Sequence, residues 1–233
     1  MLFTERHHAF ISATFYRLLK EGNYKNYRRA FICATQKMAE QRGARMAQRA
    51  IRDGIEELDY EAYRHYGEWN WSEAYLESIK NKKHIDEIHS DTDYGYAVYE
   101  CPWADVYHEE GIAQDGGVDY CFDLDPSLVR GFNPELKYKT TQTLQTCDTC
   151  IQFQVNGKIN KNHALGPGKL ENTKGFDYHC GHVYQAYFDY MIAIYGVEGL
   201  FLGAKVLECF SKKYGKEMAD VIVKHLKTDF NYI

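Results

Sequence analysis

Apolar residues recur at helical spacing through the first third of the chain and then give way to alternation. Over residues 8–20 they fall at Phe10, Ile11, Phe15, Leu18 and Leu19, one face of a helix that Gly22-Asn23 ends. Over residues 24–52 a second stripe runs through Tyr27, Phe31, Ala34 and Met38, and Gly54 stops it. The same repeat carries Arg42, Arg45 and Arg49 onto or beside the buried face. A short aromatic helix is expected over 59–71, with Asp59 as its N-cap. The period then changes to two. Residues 84–89 and 94–100 alternate through Ile85, Ile88, Tyr94, Tyr96 and Val98, which predicts two strands joined by Ser90-Asp-Thr-Asp93. Cys101-Pro102 closes the second strand, because proline cannot donate to the ladder. Short helices are expected over 103–110 and over 118–130, the latter interrupted at Pro126. Residues 136–144 and 151–155 alternate again as a second antiparallel pair. A long polar loop over 156–175 precedes helices from Tyr178 onward, broken near Gly196 and Gly215. These elements predict an α+β fold. A small, mostly antiparallel sheet within residues 84–157 is flanked by N-terminal helices (1–80) and C-terminal helices (178–233), in one domain.

Composition narrows the function. The chain has 233 residues, 45% hydrophobic and 26% charged, enough to bury a full core. A formal net charge of −5 without a basic cluster argues against nucleic-acid binding. The N-terminal residues lack the apolar core of a signal peptide, and the most apolar stretch, 183–210, is interrupted by Asp189, Glu198, Lys205 and Glu208. A soluble, cytoplasmic protein that does not enter the membrane is expected. Seven cysteines, without a secretory context, are expected as thiols.

No familiar catalytic string is present: no nucleophile elbow, no P-loop, no His-Glu-x-x-His. Gly166-Pro-Gly168 is followed by Lys-Leu-Glu and follows no apolar strand, so it is not a dinucleotide fingerprint. Three constellations remain. Cys147-x-x-Cys150 with His179-x-x-His182 offers two thiolates and two imidazoles to a tetrahedral zinc, although the histidine spacing is shorter than the usual finger pattern. Cys101 and Cys121 lie among Glu100, Asp105, Asp123 and Asp125; a cysteine at a strand end beside a helix N-terminus is a candidate nucleophile, and the acids are candidate general bases. Packing is the competing account of each cysteine. The arginines of the second helix offer a bidentate fork to a ligand carboxylate, against an internal salt bridge or a solvated head.

Taken in order, Lys37-Met-Ala-Glu-Gln-Arg-Gly-Ala-Arg-Met46, Cys101-Pro-Trp-Ala-Asp105, Tyr120-Cys121, Phe132-Asn-Pro-Glu-Leu136, Cys147-Asp-Thr-Cys150-Ile-Gln-Phe153 and Tyr195-Gly-Val-Glu-Gly199 resemble the L-2-amino-thiazoline-4-carboxylic acid hydrolase family, from about Tyr16 onward. The resemblance maps the family pattern onto Arg42, Gly43, Arg45, Cys101, Cys121, Asp148 and Cys150, while Cys147 and the run from His179 to His182 are particular to this chain. It implies a hydrolase that opens a small cyclic amidine or thiazoline ring, with a small-molecule substrate and no required cofactor, zinc remaining possible. Such a reaction needs a nucleophile at the amidine carbon, a proton for the departing atom and an anchor for the carboxylate. The catalytic candidates are Cys101, Cys121, Asp105, Asp125 and His182 (with His179 beside it); the binding candidates are Arg42, Arg45 and Trp103. The alternatives are a small-molecule sensor with a Cys/His zinc staple, similar to vinyl-reductase-type sensing domains, and a catalytically inactive homologue acting through a partner.

Overall fold

A computed structural model of the chain describes residues 2–157, 165 and 168–233. Helix α1 (Glu5–Glu21) begins at Thr4, whose backbone N–H donates to Nδ1 of His7 at 2.9 Å, and buries an unbroken run from His8 to Tyr16. The run is buried because α7 (Phe176–Tyr195) and α8 (Val197–Tyr214) cover one side of α1 and α5 (Pro102–Glu109) another. Helices from both chain ends therefore share one core, centred on Phe15, Phe31, Tyr187 and Phe210. The last helix, α9 (Lys216–Lys224), closes it through Met218 and Ile222.

Helix α2 (Tyr27–Arg52) and α6 (Val118–Phe132) are in backbone contact. A Cβ on Gly43 would sit 2.1 Å from the carbonyl oxygen of Leu128, and one on Gly131 would sit 2.3 Å from that of Glu40. Only glycine fits there, and the pair fixes how closely Arg42 faces α6. The expected break at Pro126 does not occur, for α6 runs through it. The carbonyl deprived of its donor belongs to Phe122, which is 40% exposed and so faces solvent. A π-helical turn, Ala113–Gly117, leads into α6.

The aromatic helix is shorter than its pattern. Helix α3 (Tyr60–His65) is capped by Asp59, which accepts from the N–H of Ala62 at 2.9 Å, and it stops because Glu68 turns inward. A further helix, α4 (Glu73–Ile79), follows, capped by Ser72. Buried Glu5 accepts from both the N–H and the hydroxyl of Ser72 at 2.6 Å, holding the 69–72 segment against α1.

The two strand pairs form one antiparallel sheet. Strands β1 (Ile85–His89), β2 (Tyr94–Val98), β3 (Lys137–Gln142) and β4 (Cys150–Val155) lie in the order β1-β2-β4-β3. Tyr96 pairs with Gln152 and Val98 with Cys150, so these four side chains point to one face. Much of the expected loop over 156–175, Gly166-Pro167 included, lies outside the described residues; Leu170–Asn172 form a 3₁₀ turn. Among the described residues no helix is long and apolar enough to cross a membrane.

Candidate active site

A cavity of about 310 Å³ lies between the sheet and the helices. The period-two strands turn Tyr96 and Val98 of β2, Tyr138 of β3 and Cys150, Gln152 and Gln154 of β4 into it. Helix α6 contributes Cys121, Leu124, Asp125 and Leu128, a single stripe at i, i+3, i+4 and i+7. Helix α2 adds Met38, Ala39 and Arg42, α1 adds His8, and the start of α5 adds Cys101 and Trp103. Trp69 and Trp71, on the segment held by Glu5, complete the wall.

Two opposite charges face this cavity without pairing. The Nε of Arg42 is shut off from solvent and has no hydrogen-bond partner; among the described residues the guanidinium forms no ion pair and lies 5.5 Å over the ring of Trp69. Burial pulls its pKa down, against the charge of Glu68. The Asp125 carboxyl is pushed above its ordinary value by burial, opposed by the charge of Arg42 and by the amide of Gln152, which donates to Oδ2 at 3.1 Å. Tyr138 in turn donates to Oε1 of Gln152 at 2.6 Å and so fixes which way that amide points.

Three thiols surround Asp125. Burial pushes Cys101 up to about 11, although the backbone N–H groups of Ala104 and Trp103 at the start of α5 draw it down. Burial lifts Cys121 well above its ordinary range, and Cys150 to about 12 with the charge of Asp125 adding to the effect. The helix N-terminus therefore does not make Cys101 a resting thiolate. Burial outweighs it. His8 accepts from the indole N–H of Trp103 at Nδ1, 3.1 Å, which leaves the proton on Nε2, and burial keeps the ring neutral.

The profile of the L-2-amino-thiazoline-4-carboxylic acid hydrolase family matches residues 4–154. The chain belongs to that family. Every residue that lines the cavity, from His8 to Gln154, falls inside the matched segment. Membership implies an enzyme that hydrolyses an L-2-amino-thiazoline-4-carboxylate-like ring, hence a small-molecule substrate. The Tyr195-Gly-Val-Glu-Gly199 part of the sequence resemblance lies beyond the match, which also begins earlier than Tyr16. No curated protein and no solved structure matches the chain.

Of the residues singled out in the sequence, the structure brings Arg42, Cys101, Trp103, Cys121 and Asp125 together on this cavity. It places three elsewhere. Asp105 is half exposed on the outer side of α5, 3.8 Å from Arg6. Arg45 is fully buried against Glu68, with Nε–Oε1 at 2.9 Å and Nη2–Oε2 at 2.6 Å, and also donates to the carbonyl of Phe230. His182 stacks on Phe230 with ring centroids 4.5 Å apart and lies 3.1 Å from the Gln41 side chain. The proposed zinc ligands do not assemble. Cys147 is exposed, Cys150 faces the cavity, and His179 contacts the carbonyl of Glu68 at 3.2 Å. Among the described residues no group of three or more His, Cys, Asp or Glu side chains can hold a metal ion. Sequence reasoning missed His8, Tyr138 and Gln152. His8 shares a stripe with Ile11, Ser12 and Phe15, and Tyr138 and Gln152 sit on the alternating faces of the strands, so their inward placement had a signal but their chemistry did not.

Proposed function

We propose that the cavity binds a 2-amino-thiazoline-4-carboxylate-like ring with its carboxylate on Arg42 and its amidine on Asp125, and opens the ring by attack of water at the amidine carbon. The supporting observation is the half-buried Arg42 guanidinium, whose Nε is shut off from solvent without an acceptor and which senses the charge of Asp125 without an ion pair among the described residues. A guanidinium N–H shut off from water without an acceptor is costly, and a planar carboxylate supplies a bidentate acceptor for it. An amidine is basic, and the raised Asp125 carboxyl is suited both to hold it and to take a proton from water. The water oxygen bonds to the amidine carbon as one of its protons passes to Asp125; the bond from that carbon to the ring sulfur or ring nitrogen then breaks, Asp125 returns the proton to the departing atom, and the added hydroxyl loses its remaining proton to become the carbonyl of the ring-opened product. Gln152 and Tyr138 orient the carboxylate throughout.

One observation favours a second route, in which Cys101 attacks: it is the N-cap residue of α5, where the backbone N–H groups of Ala104 and Trp103 draw its pKa down. A thiol at about 11 is ionised to only about one part in 10⁴ at pH 7, so that route also needs Asp125 as base. The variants Asp125→Asn and Cys101→Ala separate the two. Water attack expects Asp125→Asn to lose at least about 10³-fold in kcat while Cys101→Ala stays within about tenfold. A Cys101→Ala protein as inactive as Asp125→Asn, yet folded, establishes the thiol route instead.

A further inference from the structure

The polar groups assigned to the ring acid account for only part of the cavity. At about 310 Å³ it has about twice the roughly 150 Å³ that holds a benzene ring in an engineered apolar cavity. Most of the remaining wall is apolar or aromatic, and the polar residues in it are paired with one another, Arg64 with Gln154 and His8 with Trp103. Trp69 and Trp71 meet edge to face with centroids 4.7 Å apart and an interplanar angle of 82°, and Trp103 lies 6.2 Å from Trp71. The indole N–H of Trp103 is spent on His8, and Arg42 covers the ring of Trp69. Trp103 therefore has no donor left for a carboxylate. Ile85, on the edge strand β1, lines the cavity and is 44% exposed, which marks the side on which the cavity meets solvent.

We infer that the substrate of this enzyme is a ring acid bearing an apolar, ring-sized substituent, which lies against Trp71, Trp103, Val98 and Ile85 toward the mouth of the cavity. The inference rests on the proposed binding of the ring by Arg42 and Asp125. Its physical content is desolvation: tryptophan and aliphatic surface lining a void gains free energy only from an apolar partner, and a bare ring acid has too little apolar surface to supply it.

The test compares the bare 2-amino-thiazoline-4-carboxylate with two phenyl-bearing derivatives, one substituted on the ring carbon next to sulfur and one on the exocyclic nitrogen. At least one derivative is expected to be turned over with a KM about tenfold or more below that of the bare acid. That ratio should collapse toward one in Trp71→Ala and in Ile85→Glu, the second variant leaving the tryptophan cluster intact. A bare acid turned over with a KM at or below those of both derivatives overturns the inference and leaves the proposed reaction standing, as does a ratio unmoved in both variants. Turnover of none of the three overturns the proposed reaction and the inference with it.

Discussion

Among the described residues Glu68 is the sole carboxylate that pairs with the buried guanidiniums of Arg45 and Arg49, and replacing it with glutamine measures what that costs. Its side chain is fully buried, as is that of Arg45, and the side chain of Arg49 is 5% exposed and reaches Oε1 at 2.8 Å. Glutamine keeps the volume and one acceptor but removes the counter-charge from both arginines. Burial pushes the Glu68 carboxyl up, yet the hydrogen bonds and charge of Arg45 and the charge of Arg42 overcome it and hold it at about 2, against an ordinary 4.5. At 1.36 kcal/mol per pH unit this corresponds to about 3 kcal/mol of stabilisation by the ionised form, the low end of the roughly 3–5 kcal/mol lost when a buried pair is broken. For a chain of this length, about 3 kcal/mol lowers Tm by about 6–12 °C. Thermal unfolding of the wild type and Glu68→Gln, followed from pH 8 to pH 3, reads the effect. Because the folded pKa lies below the unfolded one, the stabilisation is complete above 4.5 and is lost as pH falls toward about 2. The gap between the two proteins should therefore be constant near neutrality and narrow in acid. A Tm drop smaller than about 2 °C at pH 7, or a gap that persists unchanged at pH 3, refutes this account of the buried charges.

Arg42→Met should lower kcat/KM for a carboxylated ring by about 10–100-fold, mostly through KM, while Tm holds or rises because a half-buried charge with an unpartnered Nε has been removed; an unchanged KM refutes the carboxylate anchor. The pH profile of kcat/KM should have an acid limb above the ordinary 3.8 of an aspartate, since Asp125 must be ionised to accept a proton and burial raises its pKa; activity is full above that raised value and falls as pH drops through it, and a limb at or below 3.8 argues against Asp125. Iodoacetamide at pH 7 should label exposed Cys147 well before Cys101 or Cys121, whose thiols burial keeps protonated, and peptide mass spectrometry showing Cys101 labelled first contradicts that.

What the sequence disclosed was local. The helical stripe of α2, the two alternating pairs and the breaks at Gly196 and Gly215 all follow from periods visible within one element. What it hid was set by partners distant in the chain. Nothing near Gly43 announces that Leu128 will lie against it, and nothing near Pro126 says that Phe122 faces solvent. The aromatic helix looked longer than α3 because its continuation contains Glu68, whose destination is an arginine 23 residues earlier. Cys101, Cys121 and Cys150 were each legible as candidates or as packing, but not as neighbours. Their convergence depends on register: Val98 pairs with Cys150, which places that thiol beside the strand whose exit carries Cys101, and α6 brings Cys121 down onto both.

Arg42, Arg45 and Arg49 of α2 could not be told apart by spacing, since they share one helical face and any of them could have met a ligand. Charge counting distinguishes them. Among the described residues one carboxylate, Glu68, reaches this face within ion-pairing distance, and it is taken by Arg45 and Arg49, with the carbonyl of Phe230 occupying a further donor of Arg45. Arg42, one turn nearer the sheet and held close to α6 by the contact at Gly43, receives nothing from Glu68 but its field. The two inner arginines thus do more than anchor α7 and the chain end. By holding Glu68 on their side they keep it from neutralising Arg42, and the positive charge that α2 leaves over faces the cavity. In the proposed binding mode a substrate carboxylate would complete there the pairing that the fold itself withholds.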